Sequence, residues 1–457
     1  MKKLLIFSAV LAFVISPAVA RAQSHEYSPL TEQTVNYKNW TLPNLTSDQQ
    51  EDLRKLVAGK KLVMIVYFAP WCGNWRNEAP IALKLYEKYK AQGFQVIGVS
   101  EYAVRDEVKN FFDQSKQDLL QWVDRPARAA RVFQAVYREG VARFDEIATI
   151  PEASRKTLTE SFSLDLPAIS QRFDSEDGTR RYLIRVGDGE TVESVLIPSN
   201  GRVTFCISSQ IGCALGCTFC LTGQLGLIRD LSVAEIVSQV LLLQRETSSR
   251  RVSIVLMGMG EPLQNYDNVV KAMRILQDDH GLSVPPARIT LSTAGLVPGI
   301  ERLARERFFP NLCISLTGVT NSARDSLMPI NRKYPIEAVM EAVRKLPAAR
   351  QSRVMFECVM IKGVTDSLDD ARELSRLLRG MRAKVNLIPL NPAPEIPYER
   401  PADSDILRFQ EILVRNGNAA FVRRNRGNDV SGACGQLKKK WIHSSSSPFP
   451  RTAWPWP

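Results

Sequence analysis

The sequence predicts an α/β protein. Its main part is a parallel sheet closed or half-closed into a barrel, with a small helical accessory domain before it and an incomplete α/β segment at the N-terminus. Three observations predict this. Beyond Cys220, short apolar runs alternate with helical patterns, the order that builds a parallel sheet flanked by helices. Near Arg180 the hydrophobic period changes from helical to strand-like. The chain has 457 residues, 44% apolar and 24% charged, enough for roughly two to four domains with their own cores. With 26 Pro, 25 Gly and no long biased tract it is neither disordered nor fibrous. Its only long apolar run is at the extreme N-terminus, which excludes a multispan membrane protein.

Residues 1–23 are built like a secretory leader: Lys2 and Lys3, an apolar stretch over 4–15, then small residues at Ala18-Val19-Ala20. After a polar stretch, an apolar run over 61–68 predicts a buried strand. Ala69-Pro70-Trp71-Cys72-Gly73-Asn74-Trp75 follows, then an amphipathic helix to about 92, a strand over 94–99 and a helix over about 105–116. Val132, Phe133, Val136, Tyr137, Val141, Phe144 and Ile147 recur at helical spacing, and 158–162 extends this accessory unit, which spans 119–180. Strands are predicted over 182–186, 191–197 and 203–208, the first two joined by a Gly187-Asp188-Gly189 turn. Further strands fall at 252–257, 289–292, 312–316, 354–361, 385–389 and near Phe421, with helices at 233–246, 269–278, 336–346, 368–378 and 403–416. This is a partial, TIM-like (β/α)6 barrel within a domain of 181–438, with its site where the strands end. Residues 439–457, rich in Ser and Pro, are left without structure.

Charge and cysteine usage narrow the chemistry. The net charge is +12, of which +1 lies in residues 1–200 and +11 in 201–457, pointing to a polyanionic partner of the C-terminal part. The three histidines, His25, His280 and His443, are too scattered for a triad or a multi-His metal site. Of the eight cysteines, Cys206, Cys213, Cys217 and Cys220 fall within fifteen residues, while Cys72, Cys313, Cys358 and Cys434 are dispersed. Such clustering reads as a metal site. Cys213-x-x-x-Cys217-x-x-Cys220 follows a strand at the predicted barrel mouth, and three thiolates there can hold three corners of a [4Fe–4S] cluster, leaving one iron open. A zinc knuckle would want a fourth Cys or His, for which Cys206 is the sole neighbour. Gly258-Met259-Gly260-Glu261-Pro262 ends the next strand; its glycines permit close backbone approach to a ligand, and Glu261 can pair with an ammonium group. Cys313 and Cys358 read as core residues. The Arg423-Arg424-Asn425-Arg426 run could grip phosphates or be a solvated charged face.

Two resemblances follow from these residues. The segment 36–117 resembles the first half of a thioredoxin-like domain of the TlpA type, but Trp75 stands where the second cysteine of Cys-x-x-Cys belongs and the second half-fold is missing, so no dithiol activity is expected. The cysteine motif and the Gly-Glu turn resemble the radical S-adenosylmethionine (SAM) superfamily. With Leu291-Ser292-Thr293-Ala294-Gly295, Met328-Pro329-Ile330-Asn331 and Ala433-Cys434-Gly435-Gln436-Leu437, the stretch from about Asp124 to Lys438 resembles the RlmN family of RNA adenine-C2 methyltransferases.

That resemblance implies one [4Fe–4S] cluster on Cys213, Cys217 and Cys220, with SAM on its open iron and on Gly260, Glu261, Ser292, Ser315, Leu316, Thr317 and Asn391. It implies that Cys434 accepts a methyl group from one SAM and that a second SAM yields a 5′-deoxyadenosyl radical, which activates this methyl for addition to C2. Cys206 then releases the RNA by forming a disulfide with Cys434, and Glu193 is the proton acceptor. The implied partners are 23S rRNA, tRNA and a low-potential electron donor of flavodoxin or ferredoxin type, with a monomeric enzyme, no membrane partner and a cytoplasmic location. The leader-like segment is then a fusion or a misplaced start. Three alternatives are methylation at adenine C8, as in the related Cfr-type enzymes, an exported thioredoxin-like protein defined by the N-terminal segment, and a non-catalytic RNA-binding protein, which would have no need for the cluster cysteines.

Overall fold

The computed structural model describes residues 41–43, 50–52, 55, 58–68, 84–100 and 109–437, save 200, 250 and 382. The leader-like segment, the Cys72-x-x-Trp75 motif and the tail over 439–457 lie outside the described residues. The chain divides into two compact units, Met1–Glu107 and Val108–Pro457.

In the first unit, β1 (Thr41–Pro43) pairs antiparallel with β2 (Gln50–Asp52), and β3 (Leu62–Phe68) pairs parallel with β4 (Phe94–Ser100). Residues 84–89 are helical, so β3 and β4 are joined by the crossover that parallel strands require.

The helix expected over 105–116 is absent from its described residues. There the chain forms β5 (Lys109–Asn110) and a 3-10 turn, Phe111–Asp113, capped by the Asn110 side chain accepting from Phe112 N at 3.0 Å. The reason is the adjacent pair Phe111 and Phe112, both buried. An α-helix would turn neighbours about 100° apart. The tight turn instead puts both rings into one core, where Phe111 also packs edge-on against Phe144 and Phe162. Both rings thus belong to the second compact unit, which begins at Val108. The accessory part continues as α1 (Pro126–Gln134), α2 (Glu152–Ser161) and β6 (Phe162–Ser163), with Val132, Phe133, Val136, Tyr137, Phe144 and Ile147 buried as their spacing predicts.

A ten-stranded sheet dominates the second unit. It begins with β7 (Ala168–Asp174), β8 (Arg180–Arg185), β9 (Thr191–Ser199) and β10 (Arg202–Cys206), each antiparallel to its neighbour. A hairpin, β11 (Gln210–Cys213) and β12 (Gly226–Asp230), encloses the short helix α3 (Leu221–Gln224). Then come α4 (Val233–Arg245), β13 (Val252–Leu256), α5 (Tyr266–Gln277), β14 (Ile289–Thr293), α6 (Val297–Leu303), β15 (Asn311–Ser315), α7 (Asn321–Leu327), α8 (Ile336–Arg344), α9 (Ala348–Gln351), β16 (Val354–Met360), α10 (Leu368–Leu377), β17 (Lys384–Pro389), α11 (Asp403–Arg415) and β18 (Ala419–Val422). Strands β10 and β13 to β18 are parallel, in sequence order. The six β/α units are those expected; the sheet stays open, with β18 at one edge and β7 at the other.

The two faces of the parallel strands differ. Ile254, Leu256, Ile289, Leu291, Leu312, Ile314, Val354 and Phe356 face the helices and are fully buried with Val269, Met273, Ile300, Val339 and Leu374. The alternate residues Val255, Thr290, Ser292, Ser315 and Met355 are half-exposed in the concave lumen.

Candidate functional site

Strand register puts four of the sequence-predicted residues, Glu193, Cys206, Ser292 and Ser315, on the lumen face. Cys206 lies opposite Val195 on β9, and Glu193 is two residues along, so Glu193 and Cys206 share that face. Across the parallel ladder Ser292 pairs with Cys313, Ser315 with Glu357, and Glu357 with Asn386. Hydroxyls of Ser292 and Ser315 lie 3.4 Å apart at the strand ends. Glu193 is buried and accepts from Arg181 Nη1 at 3.1 Å; the guanidinium lies on the Phe173 ring, which fixes the carboxylate's orientation.

The cysteine motif occupies the mouth. Cys213 ends β11, and Cys217 and Cys220 lie in the loop before α3. A separate apolar cluster surrounds them, including Leu215, Leu221, Leu327, Met328 and Ile330. Burial pushes the Cys213 thiol up to about 12 and raises Cys217 and Cys220; Cys220 raises both other thiols further. Three thiols that oppose one another's ionisation in an apolar pocket suit a polynuclear cation that neutralises them. Among the described residues, no group of three His, Cys, Asp or Glu converges on a single metal ion. Three thiolates each bound to a different corner of a cube need no such convergence, so the donor set fits the iron–sulfur cluster.

The glycines of the Gly-Met-Gly-Glu turn let its backbone pack closely on the segment from Ile207 to Gln210. A Cβ on Gly258 would stand 2.6 Å from Ser208 Oγ, and Gly260, at φ +100, has Gln210 where its Cβ would go. Glu261 follows in the same turn. It is buried, with Oε1 accepting from Leu263 N (3.0 Å) and Oε2 from Ala294 N (2.8 Å), so its carboxylate ties the β13 loop to the end of β14. Burial pushes it up to about 7.

Two polar atoms at the strand ends are buried without a hydrogen-bond partner, Thr317 Oγ1 and Asn391 Oδ1. Thr317 also has φ 56, a left-handed conformation that costs a β-branched residue energy. Unpartnered polar atoms beside the Ser292–Ser315 pair are what a polar cofactor would satisfy, and they fit SAM. Leu316, by contrast, is a fully buried apolar side chain whose backbone groups are engaged, its N–H with Glu357 O (2.9 Å) and its carbonyl with Arg324 Nε (3.1 Å).

Cys434 lies in the loop that follows β18. Ser175 Oγ donates to Asp429 Oδ1 (2.6 Å) and Gly427 N to Asp177 Oδ2 (3.0 Å), docking the loop on the β7–β8 turn. At its other end Leu221 N donates to Gly435 O (2.8 Å), Thr222 Oγ1 to Leu437 O (2.7 Å) and Asn391 Nδ2 to Cys434 O (2.9 Å). The Cys434 side chain touches solvent, yet enough protein surrounds its thiol to push it up to about 11. It lies within electrostatic reach of Cys206, Cys220 and Glu357. Cys206 is buried, and its thiol is raised by that burial and by Cys434.

Two lumen residues were not anticipated. Glu357, a buried acid in the otherwise apolar run Val-Met-Phe-Glu-Cys-Val-Met, is raised by burial. The signal that could have found it is that single charge in a buried strand. Cys313, expected in the core like Cys358, faces the lumen beside Glu357, whereas Cys358 does pack in the core.

A barrel of this order with three thiols at its mouth, a Gly-Glu turn after the next strand and orphaned acceptors at the strand ends defines a radical SAM enzyme, and residues 207–375 match the Radical SAM superfamily. The chain is 41% identical to a radical SAM methyltransferase from Sphaerobacter thermophilus, covering 72% of this chain and 99% of that one with a TM-score of 0.68. It is 43% identical to the dual-specificity RNA methyltransferase RlmN of Nitratiruptor sp. over 349 residues, 73% of this chain and 98% of that protein. RlmN of Syntrophobacter fumaroxidans is 44% identical over 331 residues, 71% of this chain and 96% of that protein. The chain belongs to the RlmN family. Its residues 35–157 match the AhpC/TSA family.

Proposed function

We propose that this chain methylates C2 of adenosine in 23S rRNA and tRNA, carrying the methyl group on Cys434. The observation that supports this best is the Cys434 loop. It is held at both ends, by the β7–β8 turn and by α3, so that its thiol reaches solvent at the mouth within electrostatic range of Cys206 and Cys220. Adenine C2 is electron-poor, and a carbon of that kind resists polar methyl transfer. Cys213, Cys217 and Cys220 would hold the cluster. When bound, the cluster and SAM supply a methyl group and a carbon radical able to activate it.

The chain's own residues do the rest. Cys434, as thiolate, accepts the methyl by displacement at sulfur-bound carbon, releasing the thioether. Ser292, Ser315, Thr317 and Asn391 orient SAM through their hydroxyls and amide. Once the base is bonded through the methyl carbon to Cys434, the adduct would give up its unpaired electron, which a bound cluster could take back, and Glu193 takes the C2 proton. Cys206 then attacks the Cys434 sulfur, the carbon–sulfur bond breaks, the released methylene gains a proton to become the methyl group, and the two cysteines are left as a disulfide. Arg423, Arg424 and Arg426 lie just before this loop and suit phosphate contacts. A low-potential donor of flavodoxin or ferredoxin type supplies electrons to a monomeric enzyme that works in the cytoplasm, where RNA and reductant are found.

Nucleoside mass spectrometry tests the reading. The full chain, reconstituted anaerobically with iron and sulfide, is supplied with reductant, SAM and unmodified 23S rRNA fragment. 2-Methyladenosine, absent with Cys434→Ala, is the expected product; 8-methyladenosine would move the reaction to C8, and no methylated adenosine would overturn the assignment.

A further inference from the structure

Arg324, on α7, is fully buried and is among the largest side chains with no exposure at all. Nε donates to Leu316 O (3.1 Å), Nη1 to Asn331 Oδ1 (2.9 Å) and Tyr334 O (3.4 Å), and Nη2 to Ala294 O. Every acceptor is uncharged. Among the described residues no carboxylate forms an ion pair with this guanidinium; Asp325 acts on it from longer range and accepts from Asn331 Nδ2 at 2.7 Å. Buried cations are ordinarily paired. Burial pushes this one down to about 10, and Cys217 is the nearest group in electrostatic terms that opposes the fall.

The position is specific. Leu316 adjoins Thr317, Ala294 donates its N–H to Glu261, and Asn331 ends the Met-Pro-Ile-Asn motif. One side chain thus ties three loops around the cysteine pocket, whose walls are apolar. A cluster on three thiolates is a net anion, and one further electron adds another negative charge. In such a pocket an unpaired fixed cation stabilises the reduced form more than the oxidised one.

We propose that Arg324 is the built-in counter-charge of the iron–sulfur cluster, holding its negative charge in an apolar pocket and raising its reduction potential. This rests on the cluster assignment above and adds a residue to it. The cluster takes one electron from a low-potential donor, which leaves oxidised by one electron, and Arg324 itself neither gains nor loses a proton.

The test compares the native chain with Arg324→Gln and Arg324→Lys, all full length and reconstituted anaerobically without SAM. Iron and labile sulfide per chain are measured, and the midpoint potential is read by EPR-monitored redox titration. The expected result is a more negative midpoint in Arg324→Gln and a near-native one in Arg324→Lys, which keeps the charge and loses the planar fork. A native midpoint in a fully loaded Arg324→Gln protein overturns the proposal, because the guanidinium would then be only a strut. If Arg324→Gln cannot hold iron, the lysine variant decides: native iron content supports the charge, and equal loss assigns the role to shape. A native chain that binds no cluster would overturn the cofactor assignment itself, a failure distinguishable from the others.

Discussion

The two faces of the parallel sheet are made by alternate residues of the same strands, and they differ in almost every property. Leu291 faces the helices, fully buried; Ser292, its neighbour, faces the lumen, half-exposed with its hydroxyl toward Ser315. One face is continuous with an apolar core that runs into α5, α6, α8 and α10. The other carries Cys206, Ser292, Cys313, Ser315, Glu357 and Asn386 in adjacent register positions. Stability therefore resides on one side of each strand and chemistry on the other, which makes the two separable by substitution.

The largest separation is expected at Cys434, which touches solvent and belongs to no apolar cluster. Cys434→Ala should lower methyl transfer by about three orders of magnitude or more, as loss of a nucleophile does. The melting temperature should hardly move. Single-turnover assays and calorimetry on one preparation check both, and a large loss of stability would mean the loop supports the fold.

Next comes the neighbouring pair on β14. Leu291→Ala removes a fully buried side chain and should cost about 2–5 kcal/mol in denaturant titration, with activity per folded molecule retained. Ser292→Ala should change stability by less than about 1 kcal/mol and weaken SAM binding about five-fold, the loss of one hydrogen bond. Isothermal titration calorimetry with SAM measures the second effect. A serine variant that loses stability instead would erase the distinction between the faces.

The same distinction governs what could be read in the sequence. The helix-facing rows were legible because Ile, Leu and Val repeat at strand or helix period, and the cysteine and Gly-Glu motifs were legible because their spacing is local. Strand β7 was not, since it is largely exposed and carries no apolar run. The β11–β12 hairpin escaped because its strands are short and its register shifts between Ile211 and Gly212. Helices α6 and α7, seven residues each, show too few turns for a period to emerge. Arg324 is the sharpest case: in the string Asn-Ser-Ala-Arg-Asp-Ser-Leu it reads as a solvated charge, and only the tertiary fold reveals that it is buried. Functional residues that depend on long-range placement leave no local pattern.

The smallest effect expected is at Thr317, where stability and binding should move in opposite directions. Its left-handed backbone, at φ 56, and its unpartnered buried hydroxyl both cost the free protein energy. Thr317→Gly relieves both, at the expense of some backbone entropy in the unfolded chain, and should stabilise the SAM-free protein by up to about 1 kcal/mol. Thr317→Ala keeps the strained φ and removes only the hydroxyl, so its gain should be smaller. Both should bind SAM about five-fold more weakly if the hydroxyl contacts the cofactor. Denaturant titration and calorimetry with SAM read the two quantities independently. Loss of stability in both variants with unchanged SAM affinity would make Thr317 a structural residue, and the chemical face would then end with Ser315, the last residue of β15.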